Sequence, residues 1–313
     1  MRYIETLRDG DRVLAIYLCK SKTVAVTKTG KEYENVILQD KTGQLDAKIW
    51  DPGAAGICDF EPLDYVEVTG IVTSFNGMLQ LKIERARKAG EGEYDPADYL
   101  PTTKKDIEVM YKELTALINS VKNPYLNKLL KGFLVDDEDM VKRFKTASAA
   151  KAMHHGFIGG LLEHSLSVAK LCEYLAGAYP ILNRDLLITA AILHDIGKLK
   201  EISGFPTNDY TDEGNLLGHI VMGSEMISRQ AASIEGFPAK LENELKHCIL
   251  AHHGKLEFGS PKKPALIEAL ALSYADDLDA KIETFTESLE SKESCDWLGY
   301  SKVFESNIRK TSV

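Results

Sequence analysis

The sequence predicts two domains of different fold class, an all-β barrel or sandwich over residues 1–88 and an all-α domain over residues 104–313. Short runs of β-branched and aromatic residues, separated by turn signals, fill the first segment, as expected of a small β fold. A helical spacing of apolar residues replaces this pattern after residue 104. A chain of 313 residues is also long enough for two separate hydrophobic cores.

The β segment contains a hairpin signal and a candidate irregularity. Asn76-Gly77 stands between two strand-like runs, and both turn positions of this dipeptide tolerate positive φ. Gly70 interrupts another run and predicts a bulge or a sharp bend. The predicted strands are Val13 to Cys19, Thr23 to Thr27, Tyr33 to Leu38, Gln44 to Trp50, Tyr65 to Phe75 and Met78 to Glu84.

Glycine, proline and acidic residues make 89–103 the predicted linker. Thr103, followed three residues later by Asp106, is the predicted N-cap of the first helix after it. Further helices are expected near residues 124–134, 137–150, 161–178, 184–195, 219–233, 239–252, 264–289 and 299–310.

The bulk composition is that of an ordinary globular protein, with 44% hydrophobic and 27% charged residues. Neither a signal peptide nor an apolar run long enough for a bilayer is visible, so we expect a soluble cytoplasmic protein with no membrane partner. The five scattered cysteines disfavour a disulfide framework and a zinc–thiolate site. The net charge of −9 disfavours non-specific adhesion to nucleic acid, and it lies wholly beyond residue 90.

All eight histidines lie between positions 154 and 253, and five of them fall with two aspartates in an order typical of a metal site. Imidazole and carboxylate are the ligands that borderline and hard divalent metals prefer. Taken singly, each of these histidines is more commonly a hydrogen-bonded core residue. The candidate metal ligands are His164, His194, Asp195, His219, His252, His253 and Asp276.

The centre of this set is the run from His194 to Lys198. We expect Gly197 to end the helix that carries His194, because glycine adopts conformations that most residues avoid. Lys198 then follows the helix end near the metals, where an ammonium group suits a phosphate clamp or a proton donor. Asp277 and Asp279 are expected to be solvated neighbours of Asp276.

The order H…HD…H…HH…D, with HDIGK at its centre, resembles the signature of the HD-domain phosphohydrolase superfamily. The fragments 159–165, 252–261 and 274–281 are similar to one branch of it. With a β-barrel in front, nearly the whole chain resembles the YhaM family of 3′→5′ exoribonucleases, which join an OB-fold to an HD domain. The resemblance implies an OB-fold nucleic-acid-binding domain over 1–88, a linker over 89–103 and a metal-dependent phosphohydrolase domain over 104–313.

The resemblance also implies a dinuclear site. In dinuclear members of the superfamily the first ion is bound by the matches to His164, His194, Asp195 and Asp276. Asp195 bridges to a second ion, which is bound by the matches to His219, His252 and His253. Seven nitrogen and oxygen ligands suit Mn²⁺ best, with Fe²⁺, Mg²⁺ or Co²⁺ as alternatives. Asp195 and Lys198 are then the catalytic candidates, because two such ions activate a water and Lys198 neutralises a phosphate oxygen or assists the leaving oxygen.

Candidate substrate contacts flank the ligand set. His154-His155 lies in a stretch similar to the family, and we expect this pair, like Lys198, to bind a substrate phosphate. A helix-capping or solvent-exposed pair explains it equally well. The loop from Glu257 to Lys263 offers Ser260 and Lys262 to a nucleotide, although it is also typical of an ordinary surface loop.

Small OB-type barrels bind single strands by stacking bases on aromatic rings beside a basic groove. Single-stranded RNA, and single-stranded DNA as a second candidate, are implied here by the resemblance more than by the residues. Any small barrel needs aromatic rings in its core, and a lysine cluster is also typical of a solvated hairpin. The candidate contacts are Lys28, Lys31, Tyr33, Lys48, Trp50 and Phe75.

Three functions remain open at this point. The first is a metal-dependent 3′→5′ exoribonuclease that releases nucleoside monophosphates. The second is a nucleotide or cyclic-dinucleotide phosphohydrolase, although a Gly-Tyr-Pro element typical of the latter is missing after HDIGK. The third is a nucleic-acid-binding protein with a vestigial HD site, which the complete ligand set disfavours. A homo-oligomer is a further hypothesis, because Trp297, Tyr300 and Phe304 could pack onto their own domain or onto another subunit.

Overall fold

A computed structural model of the protein describes residues 2–27, 29–75, 77–151, 156–290 and 296–312. The chain divides into two compact units. The first comprises Met1–Thr102 with Phe205–Thr207, and the second comprises Thr103–Gly204 with Asn208–Val313. Within the described ranges, no helix combines the length and the apolar character needed to cross a bilayer.

The first unit contains a closed barrel, which has five strands in the described residues. These are β1 (Arg12–Val26), β2 (Glu32–Asp40), β3 (Gly43–Ile49), β4 (Tyr65–Phe75) and β5 (Met78–Lys88). Antiparallel pairing links β1 to β2 and β4, β2 to β3, and β4 to β5, while a parallel pairing of β3 with β5 completes the barrel. This is the strand order of an OB-type barrel, so the predicted fold class of the first domain is confirmed.

Two β-bulges shape the barrel. The first lies between Cys19 and Ser21 and joins into β1 the two runs that the sequence predicted as separate strands. The second lies between Thr69 and Gly70, as the glycine predicted. A Cβ atom at Gly70 would stand 2.2 Å from the Lys82 carbonyl oxygen, so only glycine allows this approach of β4 to β5.

The predicted hairpin between β4 and β5 is also present. Phe75 pairs with Met78, which leaves a two-residue connection. Gly77 within it has φ +80°, a conformation that glycine adopts at no steric cost, while Asn76 lies outside the described residues.

The second unit is helical over most of its length, as predicted. Its helices are α1 (Ile107–Ser120), α2 (Pro124–Leu134), α3 (Glu138–Thr146), α4 (Gly160–Ala178), α5 (Arg184–Leu193), α6 (Lys198–Glu201), α7 (Asp212–Ala232), α8 (Ala239–Ala251) and α9 (Ile267–Glu290). Side-chain oxygens accept hydrogen bonds from backbone N–H groups of the first turn and so begin several of them. These caps are Asp106, Asn123, Asp137, Asn183 and Thr211.

The predicted N-cap at Thr103 is wrong. Asp106 accepts a hydrogen bond from the Val109 N–H at 3.0 Å and therefore caps α1 itself. The Thr103 hydroxyl instead donates to the carboxylate of Glu163. The Thr-x-x-Asp spacing predicted the wrong N-cap residue. Aspartate is at least as good a cap as threonine, and here it is the residue next to the helix.

Helix α5 is the centre of the helical unit. Every residue from Leu186 to Leu193 is buried, and helices α2, α4, α8 and α9 pack against it. Burial on all sides explains why this sequence has no polar face. The end of α5, with His194 and Asp195 after it, is thereby placed in the interior of the unit.

The predicted helix over 299–310 is wrong. The chain there forms a hairpin of β6 (Trp297–Ser301) and β7 (Ser306–Arg309). Gly299 has φ +92° and Glu305 has φ +48°, and neither angle is compatible with a right-handed helix. The Phe304 ring packs on α9, 4.9 Å from the ring centroid of Phe285. Trp297 and Tyr300 are exposed, and their use in a homo-oligomer stays a prediction.

Candidate metal centre

Six of the seven predicted ligands form two clusters in the helical unit. Within each cluster the ligand atoms lie within 4.8 Å of one another. The first cluster joins α4, the end of α5 and α9 through His164, His194 and Asp276. The second joins α7 and the end of α8 through His219, His252 and His253.

The seventh predicted ligand, Asp195, lies between the two clusters. Its Oδ2 atom is 3.4 Å from His194 Nε2 and 3.5 Å from His164 Nε2. Its Oδ1 atom is 3.5 Å from His219 Nε2 and 3.8 Å from His252 Nε2. Each oxygen of this one carboxylate therefore faces a different cluster.

The five histidine rings are all held by their Nδ1 atoms. An Nδ1–H that donates to an oxygen selects the tautomer in which the Nε2 lone pair is free, as at histidine metal ligands. The acceptors are Asp279 for His164 at 2.8 Å, the Ala191 carbonyl for His194 at 2.8 Å, Glu201 for His219 at 2.9 Å, the Ile249 carbonyl for His252 at 2.6 Å and the Phe258 carbonyl for His253 at 2.7 Å.

Three buried atoms of the site have no hydrogen-bond partner in the described part of the chain: Asp195 Oδ1, His219 Nε2 and His252 Nε2. Buried polar atoms are nearly always partnered, and each one left unpartnered costs about 1–3 kcal/mol. Imidazole nitrogen and carboxylate oxygen are the donors that a divalent cation accepts, and one cation at this place satisfies all three atoms. The residues present therefore fit a divalent metal ion.

Burial and charge set the protonation states of the site. Burial lowers the pKa of His252 well below its usual range, and nearby His194 lowers it further. Burial also lowers the pKa of His253. Burial alone would raise the pKa of Asp195, but the Lys198 ammonium and His194 hold it well below its usual range. At neutral pH the two imidazoles are uncharged and the carboxylate is ionised, as metal ligands must be.

His164 behaves differently. Burial lowers its pKa, but hydrogen bonds to Asp276 and Asp279 outweigh burial and raise the pKa to about 9. In the absence of metal this imidazole is therefore protonated on both ring nitrogens, and positively charged, at neutral pH.

Gly197 has a different role from the predicted one. Its φ of −64° and ψ of −23° are right-handed, so it does not end α5 through a special conformation. A Cβ atom there would instead stand 2.0 Å from the carbonyl oxygen of His219. Glycine is needed at this position for space, because α7 crosses the turn at backbone contact.

Lys198 follows at the start of α6 and lies in the site. Its Nζ atom is 2.6 Å from Asp195 Oδ2, and its side chain is 16% exposed. Burial lowers the pKa of Lys198, but the Asp195 carboxylate raises it by more, so the side chain stays charged.

Two carboxylates of the site are absent from the predicted set. Glu201 accepts hydrogen bonds from the His219 backbone N–H at 2.8 Å and from its ring at 2.9 Å. Asp279 holds His164, and its side chain is only 15% exposed, so its prediction as a solvated neighbour is wrong. A signal for Asp279 does exist in the sequence, because Asp276 and Asp279 are three residues apart and share one face of α9.

A cleft of about 440 Å³ opens onto this centre. Residues that line it include His164, Lys198, His253, Phe258 and Asp276. Of the other predicted substrate contacts, Lys262 is exposed and Ser260 is buried, and the described lining includes neither. His154 and His155 lie outside the described residues.

Several side chains that were predicted to contact a nucleic-acid strand lie together on the β2–β3 face of the barrel. The rings of Tyr33 and Trp50 stack with their centroids 4.9 Å apart. The Lys48 Nζ atom lies 5.1 Å from the Tyr33 ring centroid and 6.0 Å from that of Trp50. Trp50 is 42% exposed, so this stack lies at the surface rather than in the barrel core.

Two further predicted nucleic-acid contacts lie at or next to strand ends of the same barrel. Lys31, in the loop before β2, pairs with Asp51 at 3.7 Å. Phe75 is 65% exposed and stands at the turn between β4 and β5. Lys28 lies outside the described residues.

The fold and the site define a class of protein. The HD-domain family model matches residues 161–281, a range that contains all seven candidate ligands. HD domains are metal-dependent phosphohydrolase domains, so the chain is an enzyme of this class with a divalent-metal site.

Proteins of similar sequence identify the family within this class of enzymes. The chain is 39% identical over 282 residues to the 3′-5′ exoribonuclease YhaM of Geobacillus sp. (strain WCH70), a match that covers 90% of this chain and 86% of the relative. It is 37% identical over 286 residues to the 3′-5′ exoribonuclease YhaM of Bacillus subtilis (strain 168), covering 90% of this chain and 88% of the relative. The chain belongs to the YhaM family.

Among solved structures, the second OB-fold domain of replication protein A from Methanococcus maripaludis matches 30% of this chain and 98% of its own length. The identity is 18% and the TM-score 0.24. The OB-type assignment of the barrel rests on its strand order, not on this distant likeness.

Proposed function

We propose that this protein is a metal-dependent 3′-5′ exoribonuclease that shortens single-stranded RNA and releases nucleoside monophosphates. The named activity of its relatives supports this function, because their matches extend over most of both chains. The observation that carries the proposal is the position of Asp195, whose two oxygens face two separate ligand clusters. The proposed place of action is the cytoplasm.

The site is proposed to hold two divalent ions, Mn²⁺ first among them. His164, His194 and Asp276 would hold one ion, and His219, His252 and His253 would hold the other, with the Asp195 carboxylate between the two clusters. When bound, two such ions polarise a phosphodiester and make water a better nucleophile. The fixed Nδ1 atoms keep the five rings in the orientation that this requires.

Lys198 and Asp195 are the proposed catalytic side chains. The Lys198 ammonium is held 2.6 Å from the Asp195 carboxylate and lines the cleft. A charge held in place at a partly buried site stabilises negative charge on a phosphate without the reorganisation that water would need. Lys198 therefore neutralises a non-bridging oxygen of the scissile phosphate.

Further contacts to substrate phosphates are proposed for His154, His155, Ser260 and Lys262. On the barrel, the β2–β3 face and the loops beside it are where OB-type barrels bind oligonucleotides. We propose Lys31, Tyr33, Lys48, Trp50 and Phe75 as strand contacts from their positions in or beside β2, β3 and β4. Lys28 is proposed from the sequence alone, because it lies outside the described residues. The exposed Tyr33–Trp50 stack beside Lys48 supports base stacking combined with a phosphate contact.

The experiment incubates the protein with single-stranded RNA labelled at its 3′ or its 5′ end, with Mn²⁺ or with EDTA. The expected result is release of mononucleotides from the 3′ end only, abolished by EDTA and by Asp195→Ala. Asp136→Ala, at an exposed aspartate outside the site, is the matched control and should stay active. Hydrolysis of free nucleotides or cyclic dinucleotides with RNA left intact would refute the proposal. A parallel single-stranded DNA substrate measures the preference between the two strands.

A further inference from the structure

An exposed aromatic ring stands in the cleft beside the metal centre. Phe258 belongs to the 3-10 turn Leu256–Phe258 that follows His253, and it is 55% exposed. It lines the same cleft as His253, Lys198 and Asp276. An apolar ring at this place is available to stack on a planar group of the substrate.

Hydrogen bonds fix the backbone of Phe258 relative to the metal centre. The Phe258 carbonyl accepts the proton of His253 Nδ1 at 2.7 Å, and the Phe258 N–H donates to the Lys255 carbonyl at 3.2 Å. Gly254 and Gly259 bracket the turn with φ values of +75° and +89°, which L side chains rarely adopt. The loop therefore folds back onto His253 and holds the Phe258 backbone beside that candidate ligand.

A positive charge accompanies the ring. The Lys255 Nζ atom lies 5.0 Å from the Phe258 ring centroid. An aromatic ring with a neighbouring cation is the combination that binds single-stranded nucleic acid, since the ring stacks on a base and the cation meets a phosphate.

We propose that Phe258 binds substrate by stacking on a nucleobase next to the scissile phosphodiester, while Lys255 contacts the adjacent phosphate. This proposal rests on the proposed exoribonuclease function. An exonuclease cleaves the terminal linkage, so the bases of the last two nucleotides lie closest to the metals. Stacking tolerates any base, which suits an enzyme that must proceed through every sequence.

The test compares a single-stranded oligoribonucleotide with the same strand made abasic at its last two 3′ positions. The wild-type protein should show about tenfold higher kcat/KM on the intact strand, within the range expected for stacked bases. Phe258→Ala should lose this factor on the intact strand and treat both strands alike. Phe258→Tyr should keep the preference, because a tyrosine ring stacks in the same way.

Mn²⁺ affinity, measured by titration calorimetry, separates substrate binding from a structural role. Phe258→Ala retains the backbone carbonyl that holds His253, so it should bind Mn²⁺ as the wild type does. Tyr174→Ala, at a ring 75% exposed on α4, is the matched control and should leave the preference unchanged. Full preference in Phe258→Ala, or loss of its Mn²⁺ binding, would overturn the proposal.

A wild-type protein that shortens neither strand would refute the exoribonuclease function and not the stacking role. Fluorescence anisotropy of the same two labelled strands with Mn²⁺ then decides the role of Phe258. Tighter binding of the intact strand that is lost in Phe258→Ala supports it. Equal binding of both strands by the wild type overturns it.

Discussion

Gly197 and His219 touch through their backbones: a Cβ atom added to Gly197 would stand 2.0 Å from the His219 carbonyl oxygen. The turn after α5 and the helix α7 thus pack so closely that no side chain fits at position 197. Gly218, with φ +71° and ψ 155°, breaks α7 just before His219. The two glycines together bring the second ligand cluster next to the first.

Gly197→Ala should therefore disturb both stability and metal binding. The added methyl group forces the turn and α7 apart, and we expect the free energy of unfolding to fall by about 1–3 kcal/mol, measured by chemical denaturation. Mn²⁺ binding should weaken as well, because His219 moves with α7. Gly177→Ala places the same methyl group in open space on α4 and should be neutral or stabilising by up to about 1 kcal/mol. An unchanged unfolding free energy in Gly197→Ala would contradict this account of the glycine.

Glu201→Ala should weaken metal binding, although Glu201 is not one of the candidate metal ligands. Glu201 fixes the ring and the backbone N–H of His219, and loss of such a partner lowers metal affinity about 10–100-fold. Glu201→Gln retains an oxygen acceptor and should lose less. Titration calorimetry with Mn²⁺ measures both variants, with Glu213→Ala at an exposed position on α7 as the control. Equal affinity in the wild type and in Glu201→Ala would disprove the role.

Metal binding should release a proton from His164. Its pKa is raised to about 9, so at about pH 7.5 the metal-free imidazole is protonated, and coordination through Nε2 must displace that proton. Affinity should therefore rise as the pH increases toward 9 and level off above it. Calorimetry in buffers of different ionisation enthalpy counts the protons released.

The matched variant for this experiment is Asp279→Asn. It removes one of the two carboxylates that raise the pKa of His164, so fewer protons should be released at the same pH. Proton release that is absent in the wild type at about pH 7.5 would show that His164 is already neutral there.

Trp50→Ala should weaken binding of long strands more than cleavage of very short ones. Loss of one stacking ring costs about 1–3 kcal/mol of binding free energy. Anisotropy with a long labelled RNA gives the affinity, and a di- or trinucleotide substrate gives the rate at the metal centre. Trp297→Ala, at another exposed tryptophan, is the control. Unchanged long-strand affinity in Trp50→Ala would remove this ring from the proposed contact surface.

The two clusters of candidate ligands could be predicted from the sequence, because the order of their residue types does not depend on the lengths of the segments between them. His164 and Asp276 are far apart in the chain, yet their type and order were enough, and the structure places them 3.1 Å apart. The barrel could be predicted equally well from the sequence, since the Asn76-Gly77 turn and Gly70 are local signals.

The supporting residues could not be predicted in the same way. Glu201 and Asp279 are charged residues in helical segments, and charged residues there are usually solvated. Only the three-residue spacing of Asp276 and Asp279 distinguishes one of them. The role of Gly197 depends on a backbone 22 positions further along the chain, which no local rule contains. A helix was predicted where the hairpin over Trp297–Arg309 lies, because Trp297, Tyr300 and Phe304 follow a helical spacing of three and four residues.

The Asp195 carboxylate is proposed to bind two metal ions at once. Anomalous scattering at the manganese edge from Mn²⁺-loaded crystals tests it most directly. Two peaks are expected, one among His164, His194 and Asp276 and one among His219, His252 and His253, with Asp195 contacting both. A single peak, or two peaks with Asp195 on only one of them, would contradict it.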